Sequence, residues 1–270
     1  MADTDCLNFG SPEKPDGYYQ LAECIEGMSE ACEALGTPVV SGNVSLFNET
    51  DRGPIYPTPT VGMVGVFEDV GRHATPGFKR EGDMVVMIGP LLPVPVEFPA
   101  IMDNAILGSS YLEIVHGQVR GLPSKPHLAE EKRCGDLVRE MIWTGLVDTA
   151  HDVSEGGEAV ALAEMALAGG IGFDFEGEVE VQEDLREVRT DAFLFGERSG
   201  IYLVALPMNR WDDLQAALIG FAYDWVGTTG GDRFKIGNLV DVGLDDLRRA
   251  HEQDLFGVPG EVFGGSEAVG

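Results

Sequence analysis

The sequence predicts an α+β fold: a small layer of strands with one long helix, then a larger unit in which strands and helices alternate. Three observations carry this. An unbroken apolar stripe at helical spacing fills residues 18–35, between extended segments at 4–9 and 58–67. From residue 84 onward, short apolar runs alternate with helix-period segments. A chain of 270 residues with 44% hydrophobic and 8% aromatic content can bury a sizeable core.

From the N-terminus, Thr4 to Phe9 is extended and leads into a turn-rich segment holding Gly10, Pro12, Pro15 and Gly17. The helix at 18–35 places Leu21, Cys24, Ile25, Met28, Ala31, Cys32 and Leu35 on one face, and Gly36 stops it. Val39 and Val40 read as the end of a short buried strand, since β-branched residues suit a pleated surface. The strand is expected to break at Ser41 and Gly42, where a missing Cβ permits a sharp turn or close approach to a ligand. Residues 58–67 alternate, with Val61, Met63, Gly65 and Phe67 on one side. Residues 1–70 are thus expected as a first domain, incomplete alone, whose strand edges and apolar face call for a partner. Residues 68–83 read as a hinge.

The second domain is expected over 71–243. Residues 84–88 form an apolar strand, and 90–99 are too rich in proline to be regular. A helix over 129–144 turns Leu137, Val138, Met141 and Ile142 inward. Then come a strand at 147–150, a loop at 151–157, a helix at 158–167 closed by Gly169 and Gly170, and a strand at 171–175. The acidic stretch 176–187 reads as solvated surface. A strand at 200–206, a helix at 210–223 and strands at 224–228 and 233–240 complete the set. Residues 244–270 divide into a terminal helix and a loose tail.

Charge separates the function classes. With 46 acidic and 18 basic residues the net charge is −28, so the basic footprint that nucleic acid requires is absent. Such a surplus repels itself, and molar salt, with a screening length of about 3 Å, relieves it. The composition predicts a protein of a high-salt cytoplasm. No apolar run of about eighteen residues predicts a membrane span, and the first residues lack a signal peptide's pattern. A cytoplasmic location without a membrane partner is the expectation. Cys6, Cys24, Cys32 and Cys134 have neither zinc-site nor disulfide-framework spacing.

Three stretches could carry chemistry. In residues 37–59, Asn43, Ser45, Asn48 and Glu49 supply oxygens without a cation among them. Such donors suit Mg²⁺, which takes few protein ligands and leaves other positions to phosphate and water; they equally suit a polar turn that bonds to itself. In residues 151–157, His151, Asp152, Ser154 and the pair Gly156 and Gly157 precede a helix. Amides there bind anions, or Ser154 or Asp152 merely caps the helix. Residues 195–200, with Glu197 and Arg198, read as a structural turn.

The run Asp5-Cys6-Leu7-Asn8-Phe9-Gly10-Ser11-Pro12-Glu13-Lys14-Pro15, with Gly42-Asn43-Val44-Ser45 and Tyr56-Pro57-Thr58-Pro59-Thr60, resembles the phosphoribosylformylglycinamidine synthase family, specifically the second half of its synthetase chain. Gly77-Phe78-Lys79-Arg80-Glu81-Gly82-Asp83 and the 151–157 loop continue the resemblance over nearly the whole chain. Residues 107–112 are similar to the run that opens the second domain's first helix, except that Ser110 replaces an acid. The resemblance implies an aminoimidazole ribonucleotide synthetase-like fold: a partial N-terminal-type domain followed by a C-terminal-type α/β domain. It implies ATP contacts at Asp5 and Gly42, a Mg²⁺ ligand at Asn43 and formylglycinamide ribonucleotide at Ser45. The implied partners are a chain carrying the synthetase's first half, a glutaminase subunit and a small accessory subunit. The family's catalytic histidines belong to that first half, so no catalytic residue is expected here. Two alternatives stand: another ligase of the superfamily, against which the Asp5 to Pro15 run argues, or a non-catalytic module that holds nucleotide and completes a partner.

Overall fold

The computed structural model describes residues 1–89, 106–175 and 190–252. The expected proline-rich loop, acidic stretch and C-terminal tail lie outside these residues. The chain forms two compact units, Met1–Gly71 and Arg72–Gly270.

In the first unit, β1 (Ala2–Asn8) is the middle strand of a three-stranded sheet. β2 (Val39–Ser45) lies parallel to it on one side and β5 (Thr58–Val64) antiparallel on the other. A parallel neighbour needs a crossover, and α1 (Pro15–Leu35) supplies it, ending at a left-handed Gly36. The short strands β3 (Glu49–Thr50) and β4 (Gly53–Pro54) pair as a hairpin between β2 and β5. The expected break at Ser41 and Gly42 does not occur. β2 runs through both, and the irregularity falls at Val40: Asp3 faces Val39 while Thr4 faces Ser41. The extra residue is a bulge, and beyond it every β2 side chain changes face. The expected α1 stripe is only partly covered, with Ile25 46% exposed, and Val61 and Met63 of β5 are half-exposed.

The second unit holds a seven-stranded sheet in the order β12-β11-β8-β10-β6-β9-β7. Within it, β6 (Asp83–Gly89) is flanked antiparallel by β9 (Tyr202–Pro207) and by the middle strand, β10 (Ala222–Thr229). β7 (Thr149–Asp152) borders β9. β8 (Phe173–Phe175), β11 (Arg233–Ile236) and β12 (Val240–Gly243) extend the other end. Every residue of β6 is buried, as an apolar run covered on both faces requires. Val85 and Met87 face a core built with α4 (Gly157–Gly169), α5 (Thr190–Phe195) and α7 (Leu244–His251). Met84, Val86 and Ile88 face another built with α3 (Leu128–Trp143) and α6 (Trp211–Ala217). A short helix α2 (Ser110–His116) is N-capped by Ser109. Two expectations need correction. The helix expected at 210–223 ends at Ala217, because Ala222 and Tyr223 pair with β6. The strand expected at 233–240 is two strands folded back on each other.

Candidate functional site

Side chains alternate across a strand, so the register of β1 and β2 sorts the residues of interest onto two faces. Asp5 lies opposite Gly42, Cys6 opposite Asn43, and Asn8 opposite Ser45. Asp5 and Gly42 are together on the face covered by α1. A Cβ at position 42 would stand 2.0 Å from Asp5 Oδ1, so only glycine lets the carboxylate lie across the strand. A cavity of about 110 Å³ beneath α1 is lined by Asp3, Asp5, Met28, Cys32 and Thr37, among others. Burial first, then the nearby Asp5 charge, pushes the Cys24 thiol above its ordinary value. Burial, then the bond to Asp3, does the same to Cys32.

Asn43 and Ser45 are on the opposite face, where their neighbours Thr4, Ser41, Thr58 and Thr60 are polar. Ser41 Oγ donates to Thr4 Oγ1 at 2.7 Å, and Asn43 Nδ2 donates to Cys6 Sγ at 3.8 Å. Ser45 Oγ donates to Asn48 Oδ1 at 3.1 Å, and Asn48 Nδ2 donates to the carbonyls of Phe9 and Ser45. Asn48 therefore pins the loop after β2 to the end of β1. Glu49 is occupied as well: Lys14 Nζ donates to it at 2.7 Å, and that bond holds its carboxyl below the ordinary range. Of the four oxygen-bearing residues singled out in the sequence, Ser45, Asn48 and Glu49 make structural bonds, and Asn43 keeps its Oδ1 without a hydrogen bond among the described residues.

Those residues contain no cluster of three or more His, Cys, Asp or Glu able to hold a metal. A protein cage for a cation is therefore not what this face offers. A hard amide oxygen on an edge strand fits Mg²⁺ that arrives with phosphate and keeps most positions for phosphate and water.

In the second unit, three separated segments meet at one carboxylate. Glu197 Oε1 accepts from the amides of Ser110, at 2.8 Å, and Gly156, at 2.9 Å. Neither Ser154 nor Asp152 caps α4; its N-cap is Gly156, with φ 77°. Gly157 is also left-handed, and a Cβ there would stand 2.7 Å from the Phe195 carbonyl carbon. The paired glycines thus admit the 195–196 backbone. Next to this junction is a cleft of about 380 Å³ lined by Ser124, Asp152, Ser154, Glu197, Arg198 and Ser199, among others. Behind it Glu158 is 2% exposed, and neither of its oxygens has a partner among the described residues. Burial pushes its carboxyl up to about 7, against the opposing charge of Arg198. Sequence reasoning read Glu197 only as part of a local turn and did not single out Glu158, because their neighbours come from distant segments.

The family model "AIR synthase related protein, C-terminal domain" matches residues 80–235, and the corresponding N-terminal domain model matches residues 1–67. Phosphoribosylformylglycinamidine synthase subunit PurL of Moorella thermoacetica is 48% identical over 261 residues, covering 94% of this chain and 33% of that protein. The PurL subunit of Mesorhizobium japonicum is 42% identical over 260 residues, covering 93% and 33%. The chain spans about a third of the length of the curated relatives it matches. Among solved structures, Thermotoga maritima PurL complexed with FGAR superposes with a TM-score of 0.64 at 18% identity, over 92% of this chain and 39% of that one. E. coli HypE superposes with a TM-score of 0.58 at 19% identity, over 91% and 73%. At these identities the structures speak to the fold alone.

Proposed function

The chain belongs to the AIR synthase related protein family, and on that premise we propose that it carries part of the active site of phosphoribosylformylglycinamidine synthase. That reaction phosphorylates the formamide oxygen of formylglycinamide ribonucleotide with ATP, and glutamine-derived ammonia then displaces phosphate. In this reading Asp5 and Gly42 contact ATP, Asn43 ligates Mg²⁺, and Ser45 bonds the ribonucleotide. Supporting it is the Oδ1 of Asn43, which has no hydrogen bond among the described residues, on the strand that also carries Gly42. Phosphoryl transfer depends mainly on positioning and charge stabilisation, which residues this modest can serve. When bound, Mg²⁺ neutralises phosphate charge. The chain's own residues orient: Gly42 gives the Asp5 carboxylate its place across the strand, Asn43 offers a neutral oxygen, and the Ser45 hydroxyl, fixed by Asn48, keeps acceptor capacity for a substrate donor.

Because Asp5 and Asn43 point to opposite sheet faces, a nucleotide touching both must straddle the β2 edge. That edge and the half-exposed Val61 and Met63 support a chain carrying the synthetase's first half as partner. A glutaminase subunit and a small accessory subunit complete the proposed assembly, in a high-salt cytoplasm.

The test is calorimetric titration of MgATP into wild type and Asn43→Ala, with the first half supplied in trans. We expect nucleotide affinity to fall at least tenfold, about 1.4 kcal/mol, with the melting temperature of the free chain nearly unchanged. Equal affinities would remove the metal role of Asn43.

A further inference from the structure

We propose that Asn8 is a second oxygen donor to the cation that Asn43 holds, and that Cys6 is the positioning residue that aims both amides. The inference rests on the metal reading of Asn43. Cys6 faces Asn43 across the β1–β2 pair, and Asn8, two residues further along β1, shares its face. The thiol is bracketed by two amides: Asn43 Nδ2 donates to Sγ at 3.8 Å, and Asn8 Nδ2 donates to Sγ at 3.5 Å. Asn8 Nδ2 also lies 3.4 Å from the Cys6 carbonyl oxygen and 3.5 Å from that of Thr58.

A carboxamide carries its donor and its acceptor on one carbon. Backbone carbonyls only accept, so the Asn8 nitrogen must be the atom turned toward them. Its oxygen is then turned away from the sheet backbone. At Asn43 the nitrogen lies against the sulfur, 3.8 Å away, and the oxygen is the other branch of the amide. Among the described residues neither Oδ1 is engaged in a hydrogen bond. The result is two neutral, hard oxygens on either side of one thiol.

Sulfur suits the positioning role. It accepts weakly from N–H groups and is a poor ligand for a hard cation, so it orients the amides without competing for the ion. A donor set without a carboxylate holds a divalent ion loosely until phosphate adds charge, as expected of an ion that enters with nucleotide. Cys6 therefore acts through the two amides and does not touch the cation itself.

The experiment measures Mn²⁺ as the probe ion, by loss of the free-ion paramagnetic signal, with a non-hydrolysable ATP analogue at fixed concentration. The full chain is used with the synthetase's first half present. Asn43→Ala and Asn8→Ala should each weaken Mn²⁺ uptake by about tenfold or more, and Cys6→Ala by a comparable or smaller factor, as outer-shell partners do. Asn8→Asp is the informative variant. It keeps an oxygen but loses the NH₂ group, so it should restore or strengthen Mn²⁺ uptake. If Asn8 only braces the backbone, Asn8→Asp should fail as badly as Asn8→Ala, and the inference falls. Wild-type uptake in Asn8→Ala alongside weakened uptake in Asn43→Ala would overturn the role of Asn8 and leave the metal reading standing. Wild-type uptake in Asn43→Ala would overturn both. Melting curves of each variant separate loss of ion from loss of fold.

Discussion

Glu158 is the residue whose chemistry departs furthest from its ordinary state. It is 2% exposed and, with neither oxygen bonded among the described residues, its carboxyl is pushed from 4.5 up to about 7. The cause is burial, with Asp224 adding to it and Arg198 opposing it. The folded chain therefore holds this proton more tightly than the unfolded chain. Its contribution to stability is fully present below pH 4.5 and is lost as pH rises through about 7. The span corresponds to on the order of 3 kcal/mol. Glu158→Gln should remove this component and flatten the fall in stability between pH 5 and 7.5, measured by urea midpoints. An unchanged slope would show that another group carries the dependence. The same residue marks what the sequence could not disclose. Asn43 and Ser45 stood out through local composition, but Glu158 and Glu197 look like ordinary acids until the fold brings distant segments to them. The amides that Glu197 binds are 41 and 87 residues away.

Among the elements, the segment leading into β6 shows how one residue, through its side chain and its carbonyl, ties three strands together. Arg80 Nε donates to both oxygens of buried Asp83, at 3.2 and 3.0 Å. Its Nη1 and Nη2 grip Asp148, just before β7, at 2.8 and 2.9 Å. Thr229 of β10 adds a third tie, donating to the Arg80 carbonyl at 2.7 Å. The two acids respond in opposite ways. Arg80 holds Asp148 below the ordinary carboxylate range, while burial pushes Asp83 above it. Arg80→Ala should cost roughly 2–4 kcal/mol by leaving Asp83 buried without its counter-charge. Asp148→Ala, at a half-exposed position, should cost about 1 kcal/mol or less. Equal losses in parallel urea titrations would refute this ranking. At this scale much was legible: α1, α3 and α4 were visible in apolar spacing and terminal glycines, and β6 in its apolar run. The failures share a cause. Whether β2 continues through Gly42, or β10 claims Ala222 and Tyr223 from a helix, is decided by pairing with a distant strand.

For the whole molecule, the governing quantity is the net charge of −28. Raising KCl from 0.1 to 2 M shortens the screening length from about 10 Å to under about 3 Å, so the melting midpoint should rise. A midpoint unchanged or lowered by salt would exclude a high-salt adaptation. That charge acts on every part of the chain at once, whereas the central sheet imposes an order in time. β6 finds no partner until β9 and β10 exist, and both lie more than a hundred residues downstream. At a synthesis rate of about 5–20 residues per second, the wholly apolar run from Met84 to Ile88 leaves the ribosome on the order of ten seconds before its neighbours. During that interval it is a bare, sticky strand. What the chain itself supplies against premature pairing in that interval is the mutual repulsion of its many carboxylates.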